Sequence, residues 1–349
     1  MAKKEIIEEL RAKLGEDRQA NAEFLKKETE RFIKEGNSEG IEAAGELILE
    51  NMPKAQKDEI ERLTNIDGES LDGVFKKIVD FINEKKPVEA KPLAEKLYKK
   101  IITDYAPTEK SQFVSFRNPF EDNLYQIKVK TEKTLTRTPF DFAEYITTYG
   151  YLLVETGSPL DAIPVLEKAI EYNPVDCGPR FELAEVYKLL KNKRMVINTT
   201  KDTLKIASSP VAIARCYANM GYILTDMGEY EDAVAFYTAS IIFAPHPMIP
   251  HELRHVAQLK GSPAVQPTME QMQSAMAKYD IEFGPDREVV SVAAQLAWNY
   301  LNENDIPNAL KALKLTYNLT RDEEIKKTIL KYEPNADRLV PNQEKIDEE

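Results

Sequence analysis

The sequence predicts an all-α fold: a right-handed α-solenoid of stacked helix–turn–helix repeats. Three observations predict it. Gly150, Ala162 and Pro174 stand 12 residues apart, and Gly221, Ala233 and Pro245 repeat that spacing 71 residues later. Between them, Ala184 and Val196 fall 34 residues after Gly150 and Ala162. A period of about 34 residues marks helical hairpins that bury their core only against neighbouring hairpins. The composition agrees: 30% charged residues and only 13 glycines in 349 suit long exposed helices better than a turn-rich β protein.

Residues 2–14 and 17–35 read as charged amphipathic helices, broken at Gly36-Asn37-Ser38. A helix over 39–51 ends before Pro53, and residues 69–85 and 88–105 form another helical pair divided at Pro87. Proline falls at these ends because it cannot supply an interior N–H. Residues 1–110 are therefore expected to be a degenerate helical-hairpin region. Residues 111–140 differ, with Phe113, Phe116, Phe120 and Tyr125 in a stretch lacking a long helical period. Asn118-Pro119-Phe120-Glu121 is a helix start, with Asn as cap and Pro first. A short helix to about Lys128 follows, then a polar loop over 131–137. The alternation in 125–130 leaves a short strand open as the other reading. The segment is expected to be a packed aromatic connector.

Three repeats occupy 141–247. Large apolar residues such as Leu153, Leu166 and Ile170 fill the seam where Gly or Ala lets two helices approach. The second repeat departs from the pattern, with Ser208 in place of proline and a lengthened end at Ser208-Ser209-Pro210. Residues 248–289 form a helical excursion: a helix near 250–260, a linker through Pro267, and a helix near 268–279 opened by the capping box Thr268-Met-Glu-Gln271. A fourth, C-terminal repeat over 290–333 places Ala297 and Ala309 in register. Residues 334–349 are expected to be an acidic mobile tail.

The net charge of −12 is uneven, −2 over residues 1–140 and −10 over 141–349. It argues against a nucleic-acid binder, which shows a basic footprint. Cys177 and Cys216 lie 39 apart, neither a metal spacing nor a disulfide framework, and are expected to be buried free thiols. The charged start Met1–Leu10 does not read as a signal peptide, and no run reaches the ~18 apolar residues of a membrane span. The cytoplasm is the expected location, with no membrane partner.

The paired Gly/Ala/Pro spacing resembles the tetratricopeptide repeat family, best in the first repeat (143–176) and the third (214–247). In that family the first helix of each repeat lines a concave groove that holds peptides. The resemblance implies that the residue after each crossing Gly or Ala faces the groove: Tyr151, Glu185, Tyr222 and Trp298. It adds Thr147, Arg215 and Asn219 on the same side. The family's two-carboxylate clamp is not reproduced, since its first-repeat Lys and Asn positions hold Thr147 and Tyr151.

A competing signal is His251-Glu252-Leu253-Arg254-His255, which resembles the zincin metalloprotease motif. Two His at i and i+4 on a helix can bind zinc, with Glu positioning water. A catalytic site needs a third ligand, and the only other His is His246. No phosphate loop is present. The expected function is a non-enzymatic scaffold binding a basic or neutral segment of another protein, with no cofactor and no metal. The alternatives are a zinc hydrolase and a structural or self-assembling array.

Overall fold

A computed structural model describes residues 3–336. The described chain is all-α apart from two two-stranded ribbons, with 18 helices among the described residues. It divides into two compact units, at Val74 and Phe75.

The first unit holds α1 (Lys3–Arg11), α2 (Arg18–Glu35), α3 (Ser38–Asn51) and α4 (Lys54–Thr64). Asp17 caps α2 by accepting from the amides of Gln19 and Ala20, and Gly36, at φ +64°, ends it in the left-handed region. Ile6, Leu10, Leu25, Phe32, Ala43, Ala44 and Leu47 form its core. Pro53, expected only as a stop, also starts α4, which buries no residue. β1 (Asn65–Ile66) and β2 (Glu69–Ser70) pair antiparallel around Asp67-Gly68. Both turn residues have positive φ, as a two-residue hairpin turn requires.

The second unit begins within α5 (Leu71–Asn83) and continues with α6 (Pro87–Asp104). α6 packs on α8 (Phe142–Glu155), and Phe75 stacks on Tyr145 with centroids 4.1 Å apart. The connector forms β3 (Ser111–Val114), α7 (Pro119–Lys128) and β4 (Thr134–Arg137). β3 and β4 pair in parallel, with α7 as the crossover that parallel pairing needs. The helix expected to about Lys128 is formed, and the alternative strand over 125–130 is not. Asn118 accepts from the Glu121 amide, Pro119 opens the helix, and the cap carries α7 through Lys128. The strand lies instead in the segment read as a loop.

The repeats are α8 with α9 (Pro159–Tyr172), α10 (Gly178–Leu189) with α11 (Lys193–Leu204), and α12 (Pro210–Met227) with α13 (Tyr230–Phe243). The crossing residues Gly150, Ala162, Ala184, Val196, Gly221 and Ala233 are all buried. The connector is sewn to the first repeat. The Ser115 amide donates to the Tyr172 carbonyl at 2.8 Å, and the Asn173 amide donates to Glu121 at 2.9 Å.

α14 (Ile249–Lys260) and α15 (Met269–Ala277) both pack on α13, and the Thr268–Gln271 capping box is formed. The Tyr217 hydroxyl accepts from the Gly284 amide at 2.8 Å and pins the returning chain. α16 (Arg287–Asn302), α17 (Ile306–Thr320) and α18 (Glu323–Tyr332) complete the unit. α16 packs chiefly on α7 and α17, with Lys128 bridging to Asp286 and Glu288. No described helix is long and apolar enough to cross a membrane. The expected tail lies, beyond Ala336, outside the described residues.

Candidate functional site

Of the first helices, α8 packs on α10, and α10 is joined to α12 through side chains. Their solvent side carries one linked cluster. Lys188 Nζ donates to Asn219 Oδ1 at 2.7 Å and to Glu185 at 2.9 Å, and sits 5.1 Å from the centre of the Tyr222 ring. Arg215 lies 3.7 Å from Glu182 and 3.8 Å from Glu185, with its guanidinium 4.4 Å above the Phe181 ring. Glu185 is thus shared by two cations from two helices.

Asn219 is 4% exposed, and its Nδ2 has no hydrogen-bond partner. A buried donor left unmade costs about 1–3 kcal/mol. Lys188 fixes the amide orientation, because its ammonium can only donate, and so must face Oδ1. Burial raises the Glu182 carboxyl above its ordinary value; Arg215 opposes this, while Glu185 and Glu155 add to it. Burial also raises the Tyr151 phenol on α8, with Glu155 and Glu182 contributing.

Of the expected site residues, the structure brings Tyr151, Glu185, Arg215, Asn219 and Tyr222 onto these three helices. Tyr222 is 45% exposed, so α14 and α15, packed on α13, leave it open. Thr147 donates its hydroxyl to the Ala143 carbonyl at 2.6 Å within its own helix. Trp298 is 48% exposed on α16, a helix packed on α7 and α17 rather than beside α12. Sequence reasoning passed over Glu182 and Lys188. Lys188 was legible as the i+3 neighbour of Glu185 on one helix face.

The His251–His255 segment lies on α14. Glu252 accepts from the Tyr237 hydroxyl at 3.2 Å, and Arg254 lies 2.7 Å from His251 Nδ1. Among the described residues no group of three His, Cys, Asp or Glu side chains is placed to hold a metal. Cys216 is buried and Cys177 half-buried, both free, and burial pushes the Cys177 thiol up to about 12. A separate half-buried cluster joins Arg117 to Glu121 at 2.7 Å, Asp176 at 3.0 Å and Asp141 at 3.9 Å. Burial there pushes the Asp141 carboxyl up to about 6.

No curated protein matches the chain. Among solved structures it is similar to a chain in the crystal structure of the APC/C hetero-tetramer Cut9-Hcn1, at 13% identity and a TM-score of 0.32. That likeness covers 87% of this chain and 59% of that one, less than two thirds of its length. The tetratricopeptide repeat family model matches residues 143–176 and 214–245. Those are the hairpins α8–α9 and α12–α13, marked by Gly150 and Gly221, so the chain carries two tetratricopeptide repeats at these positions.

Proposed function

We propose that this protein is a non-catalytic scaffold that holds an extended or helical segment of another protein across the face of α8, α10 and α12. The carrying observation is the buried, unpartnered Nδ2 of Asn219 beside a half-exposed Tyr222. A backbone carbonyl that displaces the side chains covering Asn219 would satisfy that donor, and the tyrosine ring supplies an apolar surface with a polar edge. Lys188 and Arg215 already face Glu185 and Glu182, so the face has no spare cation while Glu155 adds a further carboxylate. The segment it suits is basic or neutral, and the location it suits is the cytoplasm.

The experiment is capture of partners from the native host's lysate, followed by calorimetry on the captured segment with Tyr151→Ala, Tyr222→Ala and Asn219→Ala. Truncating a buried anchor typically costs about 2 kcal/mol, or about thirtyfold in affinity. Parent-like binding by all three variants moves the site off this face.

A further inference from the structure

Away from the repeat face, the junction of α7 with α16 and α17 forms a half-open pocket of about 290 Å³. Its walls are Pro119 and Phe120 at the start of α7, Leu296 and Tyr300 of α16, and Ala312 and Leu315 of α17. By the ~30 Å³ share of a liquid water, that is room for about ten heavy atoms. The wall is mainly apolar and carries two charged side chains, Glu121 and Lys311. They are not equivalent. Glu121 is saturated: it accepts from Arg117 at its amide and guanidinium, each at 2.8 Å, and from Asn173 at 2.9 Å. Lys311 reaches only the neutral Asn308 Oδ1, at 3.3 Å. Among the described residues no carboxylate pairs with it, in a chain of net charge −12.

From this asymmetry we infer that the pocket is a binding site for a small free acid: an unbranched or aromatic apolar body seated against Phe120, Leu296 and Leu315, its carboxylate at Lys311. The apolar body removes wall surface from water. The carboxylate meets the one charge in the pocket with no counter-ion, and forms a charge-assisted bond that a neutral head group cannot match.

Calorimetry on the full chain with octanoate, and with 1-octanol as the neutral control, tests this. Octanoate should bind with Kd on the order of 0.1–1 mM, the range expected for about ten heavy atoms. Octanol should bind about tenfold more weakly. Lys311→Met changes an exposed side chain and should bring octanoate down to the level of octanol. Leu296→Phe narrows a half-buried wall and should weaken both ligands together. Absence of saturable octanoate binding up to about 10 mM overturns the site. Equal affinity for octanol, or unweakened octanoate binding by Lys311→Met, overturns the acid specificity.

Discussion

Gly45, Gly150 and Gly221 are all helical, yet alanine should act oppositely at them. In an exposed helix Gly→Ala stabilises by roughly 0.5–1 kcal/mol, because glycine loses more backbone freedom on folding. At Gly45 a methyl meets nothing within 4 Å, so the gain should appear in full. At Gly150 it meets Leu166 Cδ2 at 2.5 Å and Cγ at 2.7 Å, and Leu166 is fully buried. At Gly221 three atoms of the Tyr237 ring lie at 2.8–2.9 Å. That ring is rigid, buried, and held by its hydroxyl on Glu252. Overpacking costs about 1–3 kcal/mol. Subtracting the propensity gain leaves Gly150→Ala and Gly221→Ala destabilised by about 0.5–2 kcal/mol, with Gly221 the worse because a ring cannot swing aside as a leucine methyl can. Leucine at either site should cost more. Far-UV circular dichroism through a urea titration reads all three variants. Fluorescence of Trp298, the only tryptophan, reads the second unit alone. A midpoint that rises for Gly150→Ala and Gly221→Ala as it does for Gly45→Ala refutes the close-crossing argument and the repeat register with it.

Asp141→Asn keeps the acceptor that caps α8 but removes a carboxyl whose folded pKa rises from 3.8 to about 6. A raised acid pKa costs stability above that pH and nothing well below the unfolded value. The variant should thus be more stable than the parent at pH 8, by about 1 kcal/mol after allowing for partial exposure, with the gap closing towards pH 4. A gap that does not change with pH would show that Arg117 needs Asp141 charged. His255→Ala changes an exposed side chain and should leave stability within about 0.5 kcal/mol and metal content unaltered; stoichiometric zinc lost on this change would restore the hydrolase reading. Residues 139–333 alone should be less stable and less soluble than the whole chain, because removing α5 and α6 bares Tyr145 and Tyr149, which now pack on Phe75 and Tyr98. Equal stability and solubility would make the preceding region dispensable to the repeats.

The repeats were legible because their determinants are local. A small residue at each crossing, a cap and a proline specify one hairpin, and 34-residue translation specifies the next. The same locality explains the misses. In 125–130 the alternation left a strand open beside the expected helix, but the Asn118 cap seven residues before Tyr125 had already committed the chain to that helix. β4 gains its partner only across α7, so nothing in its own residues announces it. Asp67-Gly68 did announce a hairpin, but the two-residue strands beside it gave no periodicity to attract attention.

The site separates along the same line. Tyr151, Glu185 and Tyr222 follow their crossing residues by one position, and stacking of contiguous repeats carries that register from helix to helix. Trp298 follows Ala297 in the same way, so its sequence position is equivalent. Its spatial position is not, because register along a helix does not fix which surface the helix docks on. After α13 the chain packs α14 and α15, returns past Tyr217, and delivers α16 to α7, where Lys128 meets Asp286 and Glu288. Those two acids lie at the start of α16 and pair with a lysine 158 residues before Asp286 in the chain. A repeat pattern therefore predicts a shared face only while the hairpins are consecutive. The 248–289 excursion ends that condition, delivers Trp298 on a helix packed on α7 and α17, and forms the α7–α16–α17 pocket that no local pattern foreshadowed.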